Sequence, residues 1–250
     1  MKLALLADLH ANLPALDACL EHAYEQGADQ LAILGDMVGY GPHPAAVVER
    51  CRELQQAGAL VVRGNHDELH EIPVSSDAGW FEITAAWTRD QLNESQRDWC
   101  RNLPLTALFD KVFLVHATAD APERWHYVLE ERSANRSMQA VARHHEVRYV
   151  FGGHVHQQSL FYRITDREMV SAPITANFAI KVRSQRYWLA TVGSVGQPRD
   201  GDTRANYAML DLEEEKLTFH RVDYDHESVA TDLLEAGLPE ILARRIKNGR

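Results

Sequence analysis

The sequence predicts an α/β fold in which two β-sheets pack between helical layers. Three observations predict it: short apolar runs alternate with helical patterns near the N-terminus, strand patterns dominate residues 160–222, and helical periodicity closes the chain. With 250 residues and 45% apolar content, the chain can bury a sizeable core. It shows no internal repeat, low-complexity tract or linker, so we expect a single domain over residues 1–250.

The first five predicted elements have a βαβαβ order. Leu3–Ala7, Leu31–Leu34 and Leu60–Val62 are short, continuous apolar runs, which are typical of strands buried on both faces. Helical spacing predicts a helix over Leu13–Tyr24, and Pro44 begins a second helix that reaches Leu54. This order favours a parallel sheet.

The rest of the chain is predicted as helices, then strands, then a helical end. Residues 78–102 indicate two helices, the second capped by Asn93 or Ser95, within a helical insert at about 68–104. Five further strands are predicted, at Val112–Val115, Tyr149–Phe151, Tyr187–Val192, Tyr207–Leu212 and Leu217–Val222. Ser228–Ile246 is periodic with helical spacing and is broken at residues 237–239.

Composition restricts the compartment and the partners. The net charge of −10 argues against a duplex nucleic-acid partner, whereas bound cations would still allow a phosphorylated substrate. Three scattered cysteines indicate no disulfide framework and a reducing compartment. Asp8 and His10 interrupt the N-terminal apolar run too early for a secretory signal, and no apolar stretch is long enough to cross a membrane. We therefore expect a cytoplasmic protein without a membrane partner; its oligomeric state is left open.

Five polar clusters follow predicted strands and supply potential metal ligands. They are Asp8-x-His10, Gly35-Asp36, Gly64-Asn65-His66-Asp67, His116, and Gly153-His154-Val155-His156. A spacing of two residues would place Asp8 and His10 on one face of extended chain, and His154 and His156 likewise. The carboxyl ends of strands are where open α/β sheets place their ligand sites.

The types of ligand indicate a catalytic centre with two divalent metals. Carboxylate, imidazole and amide groups suit manganese, iron, nickel, cobalt or zinc, and the absence of a thiolate argues against a structural zinc site. Two such ions can hold both the attacking and the leaving oxygen of a phosphoryl group, with Asp36 as the natural bridge between them. Taken singly, Asp8 could be a cap, Asp36 a turn residue and His116 a core histidine; the ordered set argues against coincidence.

The ordered clusters resemble the calcineurin-like metallophosphoesterase superfamily. A bacterial and archaeal subgroup of small phosphodiesterase-like proteins is more similar still, since it shares Asn12, Gly39-Tyr40-Gly41-Pro42 and Gly193-Ser194-Val195-Gly196-Gln197-Pro198-Arg199. The resemblance implies a four-layer α/β/β/α sandwich of two mixed sheets. It also implies two divalent transition-metal ions, with manganese expected first.

The same resemblance implies a role for each ligand. Asp8, His10 and His156 would hold the first metal, Asn65, His116 and His154 the second, and Asp36 both. His66 would donate a proton to the leaving oxygen, and a metal-bridging hydroxide would be the nucleophile.

One departure from the superfamily pattern affects the substrate class. Its protein phosphatases and symmetric dinucleoside-tetraphosphate hydrolases have Asp-Arg-Gly where this chain has Gly39-Tyr40-Gly41, so their phosphate-binding arginine is missing. A monoester dianion gains more from such an arginine than a diester does, which favours a phosphodiester. Arg63, directly before Gly64, keeps a phosphomonoesterase or protein phosphatase open.

Four residues are candidates for contact with a small phosphate ester or nucleotide. They are Asn12, Tyr40, Arg63 and Arg199. Asn12 would either orient the first motif or touch substrate, Tyr40 would line the cleft or cover the core, and Arg199 lies in a Gly/Pro/Asp-rich loop. A non-catalytic metal-binding scaffold is the alternative from another class, and the presence of His66 argues against it. The acidic charge argues against a nuclease.

Overall fold

A computed structural model describes residues 1–68, 79–163 and 168–250. These residues form the strands β1 (Lys2–Leu6), β2 (Gln30–Leu34), β3 (Leu60–Val62), β4 (Thr106–Phe109), β5 (Val112–Val115), β6 (Tyr149–Gly152), β7 (Gln158–Arg163), β8 (Val170–Ala172), β9 (Ala179–Lys181), β10 (Tyr187–Val192), β11 (Ala205–Asp211) and β12 (Lys216–Val222). Their helices are α1 (Leu13–Glu25), α2 (Pro44–Gln56), α3 (Trp80–Gln91), α4 (Glu94–Asn102), α5 (Glu131–Ala140), α6 (His226–Glu235) and α7 (Glu240–Asn248). Residues 69–78 of the predicted insert lie outside the described residues.

The strands form two mixed sheets of six strands each, in the orders β3-β2-β1-β11-β12-β9 and β4-β5-β6-β10-β7-β8. In the first sheet β1, β2 and β3 are parallel, as the βαβαβ pattern predicts, whereas β11 pairs antiparallel with β1. In the second sheet β5, β6 and β10 are parallel and the outer strands are antiparallel. The carboxyl ends of five parallel strands thus carry the sequence motifs.

Apolar residues alternate along β1 between two cores. Leu3 and Leu5 pack into the core between the two sheets, whereas Ala4 and Leu6 face the core beneath α1 and α2. On the far side of the second sheet, buried residues of α5 pack against β5, β6 and β10. Helix, sheet, sheet and helix layers follow in that order, which confirms the predicted four-layer α/β/β/α sandwich.

Helices α6 and α7 form a further cluster beside the first sheet. Their buried side chains pack with Tyr40 of the loop after β2 and with Trp80 and Phe81 at the start of α3. This cluster brings the C-terminal helix close to the sequence motifs.

Strand β4 and helix α5 were not predicted from the sequence, because each contributes few large apolar side chains to the core. Strands β7, β8 and β9 lie in the region that was predicted only as strand-rich. Strand β4 lies at a sheet edge and is mostly half-buried. Helix α5 buries only a narrow stripe that includes two serines. The predicted helices and strands are otherwise confirmed, including the cap of α4, where Asn93 and Gln96 form a reciprocal capping box.

The three cysteines are free and buried, which agrees with the predicted lack of a disulfide framework. No helix within residues 1–68, 79–163 and 168–250 combines the length and apolar character needed to cross a membrane.

Candidate metal centre

The five sequence motifs meet where the parallel strands of both sheets end. Backbone hydrogen bonds join the loops beyond the strands: Asp8 N donates to Gly35 O over 3.0 Å, and His10 N donates to Asp36 O over 2.9 Å. Gly153 N donates to His116 O over 2.8 Å, which ties the motifs of the second sheet together. The motif side chains therefore lie on a frame fixed by main-chain hydrogen bonds.

Five of the potential ligands have a left-handed rather than an extended backbone conformation. The φ angles are 53° at Asp8, 44° at His10, 53° at Asp36, 68° at His154 and 61° at His156. The predicted extended spacing was therefore wrong for both histidine-bearing motifs. Each such residue costs about 1–2 kcal/mol, and strain of this kind is concentrated at functional sites. The turn also directs His154 and His156 into two different groups of ligands.

The first group of potential ligands contains Asp8, His10 and His156. One ligand atom from each side chain lies within 4.8 Å of the others. His10 Nε2 is 3.0 Å from His156 Nε2, which in turn is 3.5 Å from Asp8 Oδ1. All three side chains are buried.

The second group contains Asp36, His116 and His154, again with ligand atoms within 4.8 Å of one another. His116 Nε2 lies 3.3 Å from Asp36 Oδ2 and 3.2 Å from both His154 Nδ1 and Asn65 Oδ1. Asp36 Oδ2 is also 3.7 Å from His10 Nε2 of the first group. Asp36 therefore stands between the two groups.

The other ring nitrogen of each histidine in the two groups faces a backbone carbonyl. The pairs are His10 Nδ1 with Val38 O (3.2 Å), His116 Nδ1 with Leu34 O (2.7 Å), His154 Nε2 with Trp125 O (2.8 Å) and His156 Nδ1 with Gln197 O (2.6 Å). Because a carbonyl can only accept, these nitrogens carry the proton. The unprotonated nitrogen of each neutral ring then points into the centre, as in metal-binding histidines.

The contact between His10 Nε2 and His156 Nε2 indicates whether the first group can hold a cation. Burial lowers the pKa of His10 and of His156 well below the usual value, so both rings are neutral near pH 7. Their Nε2 lone pairs then face each other across 3.0 Å. Two lone pairs at this distance repel unless a cation lies between them, so the first group fits a divalent metal ion.

The second group attracts positive charge as well. Burial opposes protonation of His116, but the charge of Asp36 and its hydrogen bond raise the pKa of His116 to about 9. Burial alone would raise the pKa of Asp36, yet the charges of His116 and His66 hold it well below its usual value. Oxygen and nitrogen acceptors surround His116 Nε2, and a metal ion would satisfy the same acceptors.

His66 lies between the two groups and has a ligand atom within 4.8 Å of ligand atoms of both His10 and Asp36. Its backbone N–H donates to Asp36 Oδ1 over 2.8 Å, and its ring meets that of His10 edge-on at 4.9 Å between centroids. A Cβ on Gly39 would come within 2.5 Å of His66 Nδ1, so the glycine makes room for the ring. Burial lowers the pKa of His66 to about 4, with the charge of Asp36 acting in the opposite direction.

The carboxylate of Asp67 orients the loops and was missed as a functional residue. It is fully buried and accepts from the backbone N–H groups of Asp36 (2.9 Å), Met37 (2.8 Å) and Gly64 (2.8 Å). These bonds connect the loop that carries Asp36 to the loop that carries His66. A carboxylate directly after the Asn65-His66 pair was the available signal, but only Asn65 and His66 of this motif were assigned roles.

Replacement of Asp67 by asparagine is expected to loosen this junction. The amide presents an N–H group where the loop needs an acceptor, so we expect the free energy of unfolding to fall by about 2–3 kcal/mol. Metal affinity should fall as well, because Asp36 loses its support. Chemical denaturation and metal titration measure both, with the exposed Asp90→Asn as the control. Unchanged stability in D67N would contradict this role.

Two of the four predicted substrate contacts are engaged elsewhere. Asn12 caps α1 through Ala15 N, and its amide donates to Gly196 O over 2.9 Å and to the Tyr224 hydroxyl over 3.2 Å. Its geometry therefore favours orientation of the loop rather than substrate contact. The guanidinium of Arg63 donates to a backbone carbonyl in α4 and pairs with Glu68 over 2.8 Å, so it is not directed at the ligand groups.

Tyr40 and Arg199, by contrast, border the ligand groups. The Tyr40 ring lies 4.6 Å from the His10 ring and 4.4 Å from the His66 ring, between centroids. Arg199 Cζ lies 5.7 Å from the centroid of the Tyr40 ring. On the opposite side Tyr127, which sequence reasoning missed, stacks on His154 at 4.1 Å and is half exposed.

The family of the chain follows from a comparison with known proteins. Residues 1–215 match the model of the calcineurin-like phosphoesterase superfamily domain. The chain belongs to this superfamily. The crystal structure of a metallophosphoesterase from Sphaerobacter thermophilus is 33% identical, with a TM-score of 0.86 over 100% of this chain and 99% of that chain.

Two relatives whose names state an activity are similar to part of this chain. Phosphodiesterase YfcE of Escherichia coli strain K12 is 38% identical over 106 residues, which are 39% of this chain and 54% of YfcE. The symmetrical bis(5'-nucleosyl)-tetraphosphatase of Chromohalobacter salexigens is 32% identical over 128 residues, 48% of this chain and 45% of that relative. The chain thus spans about half the length of each. Membership of the family makes it a metal-dependent phosphoric ester hydrolase.

Proposed function

We propose that the protein is a phosphodiesterase that hydrolyses a small phosphate ester or nucleotide with the help of two divalent metal ions. The observation that carries the proposal is the pair of ligand groups that meet at Asp36, with His66 beside both. Asp8, His10 and His156 would hold one ion, and Asn65, His116 and His154 the other. When bound, the ions would activate a water molecule and polarise the phosphoryl group.

The residues around the ions supply positioning and a proton. His66 is next to Asp36 and His10, so it can reach an oxygen atom of a phosphoryl group held between the ligand groups. In this role it donates its proton to the leaving oxygen as the P–O bond breaks. A nearby negative charge raises the pKa of an imidazole, and the charge of Asp36 acts on His66 in this way. A bound phosphoryl group would raise the pKa of His66 as well.

The surroundings of the centre favour a diester over a monoester. A monoester dianion would benefit from an arginine directly at the scissile phosphoryl group. Arg63, the residue that kept this possibility open, is bound to Glu68 and to α4 instead. The name of YfcE, a phosphodiesterase, agrees with the preference for a diester. A cytoplasmic location and manganese as the native metal stay predictions.

The test compares hydrolysis of bis-p-nitrophenyl phosphate and p-nitrophenyl phosphate by the purified protein with Mn²⁺. We expect turnover that a chelator abolishes and that is faster with the diester. Faster turnover of the monoester would overturn the preference for diesters. No turnover of either compound by protein with bound metal would favour the scaffold alternative, and the same assay with DNA tests for a nuclease.

A further inference from the structure

Two arginines beside the metal centre have no carboxylate partner within the part of the chain that the structure describes. Arg199 lies in the loop after β10, and Arg245 lies in α7; both are half-buried. Neither forms an ion pair with the described carboxylates, whereas nearby Arg204 and Arg221 are paired with Asp202. Arg199 donates through Nε and Nη2 to the neutral Oε1 of Gln197, over 3.3 and 3.0 Å, and it also forms a side-chain hydrogen bond with Tyr40. Among the described residues, neither guanidinium group is therefore in an ion pair with a carboxylate.

Aromatic rings hold both guanidinium groups in place. Arg199 Cζ is 5.7 Å from the centroid of the Tyr40 ring, and Arg245 Cζ is 4.7 Å from that of the Trp80 ring. The two rings are themselves 6.0 Å apart, so they connect the arginines. Stacking on a ring fixes the plane of a guanidinium group and leaves N–H groups at its edge available to an oxyanion.

The same rings place the arginines next to the reacting centre. Tyr40 contacts the rings of His10 and His66, the potential ligand and the proposed proton donor. The charge of Arg199 contributes to the lowered pKa of both histidines, after the larger effect of burial. Arg245 stacks on Trp80 and therefore lies further from the ligand groups than Arg199 does. Burial lowers the pKa of Arg245, and the like charge of Arg199 lowers it further. The two guanidinium groups thus lie one behind the other beside the ligand groups. An anion bound between them would reduce their mutual repulsion.

We propose that Arg199 and Arg245 form a subsite for a second phosphoryl group, attached to the one that is hydrolysed. The inference rests on the proposed function and narrows its substrate class to esters that contain a diphosphate or longer phosphate chain. Guanidinium groups recognise phosphoryl oxygens with paired, charge-assisted hydrogen bonds, and two of them more than neutralise the additional negative charge of a second phosphoryl group. Specificity for a phosphate chain then comes from the loop after β10 and the C-terminal helix rather than from the metal ligands.

The test measures binding of AMP and ADP to the Mn²⁺-loaded protein by calorimetry, with free Mn²⁺ held constant. The two nucleotides differ by one phosphoryl group. We expect the wild type to prefer ADP by at least tenfold. Arg199→Met and Arg245→Met should each reduce that preference to below threefold, because methionine keeps an apolar stem and removes the charge. Arg245→Lys should retain part of the preference.

The matched control is Arg244→Met, which alters the exposed neighbour of Arg245 on the same helix. It should keep the wild-type preference for ADP, and thermal unfolding verifies that every variant is folded. If the wild type binds both nucleotides but R199M and R245M keep its preference, the subsite is wrong and the proposed function stands. If the metal-loaded wild type binds neither nucleotide and also hydrolyses no phosphodiester, both proposals fail.

Discussion

Asp36→Asn is expected to lower kcat/KM for a phosphodiester by more than about 100-fold, since loss of a metal-supporting residue one layer further out already costs 10–100-fold. Asp36 is the side chain between the two ligand groups, with Oδ2 at 3.3 Å from His116 Nε2 and 3.7 Å from His10 Nε2. The substitution keeps its shape and removes its charge. Because Asp36 lies between the two groups and its negative charge attracts cations, the variant should lose affinity for metal in both groups.

Metal content measured by mass spectrometry, together with kcat/KM, tests this expectation. The exposed Asp17→Asn serves as a control of the same chemistry and should retain the wild-type values. A chelator should abolish wild-type turnover, and added Mn²⁺ should restore it. A D36N variant that still binds two metal ions per chain with wild-type affinity would show that Asp36 does not bridge them.

His66→Ala is expected to affect substrates according to their leaving groups. General acid catalysis contributes about 10²–10⁴-fold when the leaving oxygen is a poor leaving group. A diester that releases a nucleoside hydroxyl should therefore lose about that factor in kcat, whereas a p-nitrophenyl diester should lose much less. The ring of His66 touches Tyr40 and Phe81 as well, so unfolding midpoints are needed to separate chemistry from packing.

The control for His66→Ala is His145→Asn, which alters an exposed histidine between α5 and β6 that belongs to neither ligand group. It should not alter either kcat. Equal losses in H66A for good and poor leaving groups would argue that His66 positions the substrate or the metal rather than donating a proton. Full activity towards both substrates would exclude it from the mechanism.

The fold was largely predictable because its signals are local. Apolar runs such as Leu31–Leu34 have no polar interruption, and proline at the start of α2 and asparagine at the cap of α4 mark helix ends. The helix α5 was not predictable in this way, because two serines and one alanine form most of its buried stripe. Its helical state depends on packing against the second sheet.

The candidate ligands were also readable from the sequence, whereas their grouping was not. His154 and His156 are two residues apart, and extended geometry would put them on one side. The left-handed turn at both residues instead directs one to His116 and the other to His10. The residue types of the motif do not predict this left-handed turn, because hydrogen bonds with distant loops hold it in place. One of them is donated by His154 N to the Asp8 carboxylate.

The sequence by itself determined which side chains stand at the ends of the central strands, and therefore the chemistry of the centre. Only the tertiary structure decided which nitrogen of each histidine faces the centre, that Asp67 supports the loops, and that Arg245 stacks on Trp80 beside Tyr40. Strand ends follow from local periodicity, which the order of residues carries directly. The other features arise when two sheets and the C-terminal helices pack together, because carbonyls, rings and charges from distant segments then become neighbours.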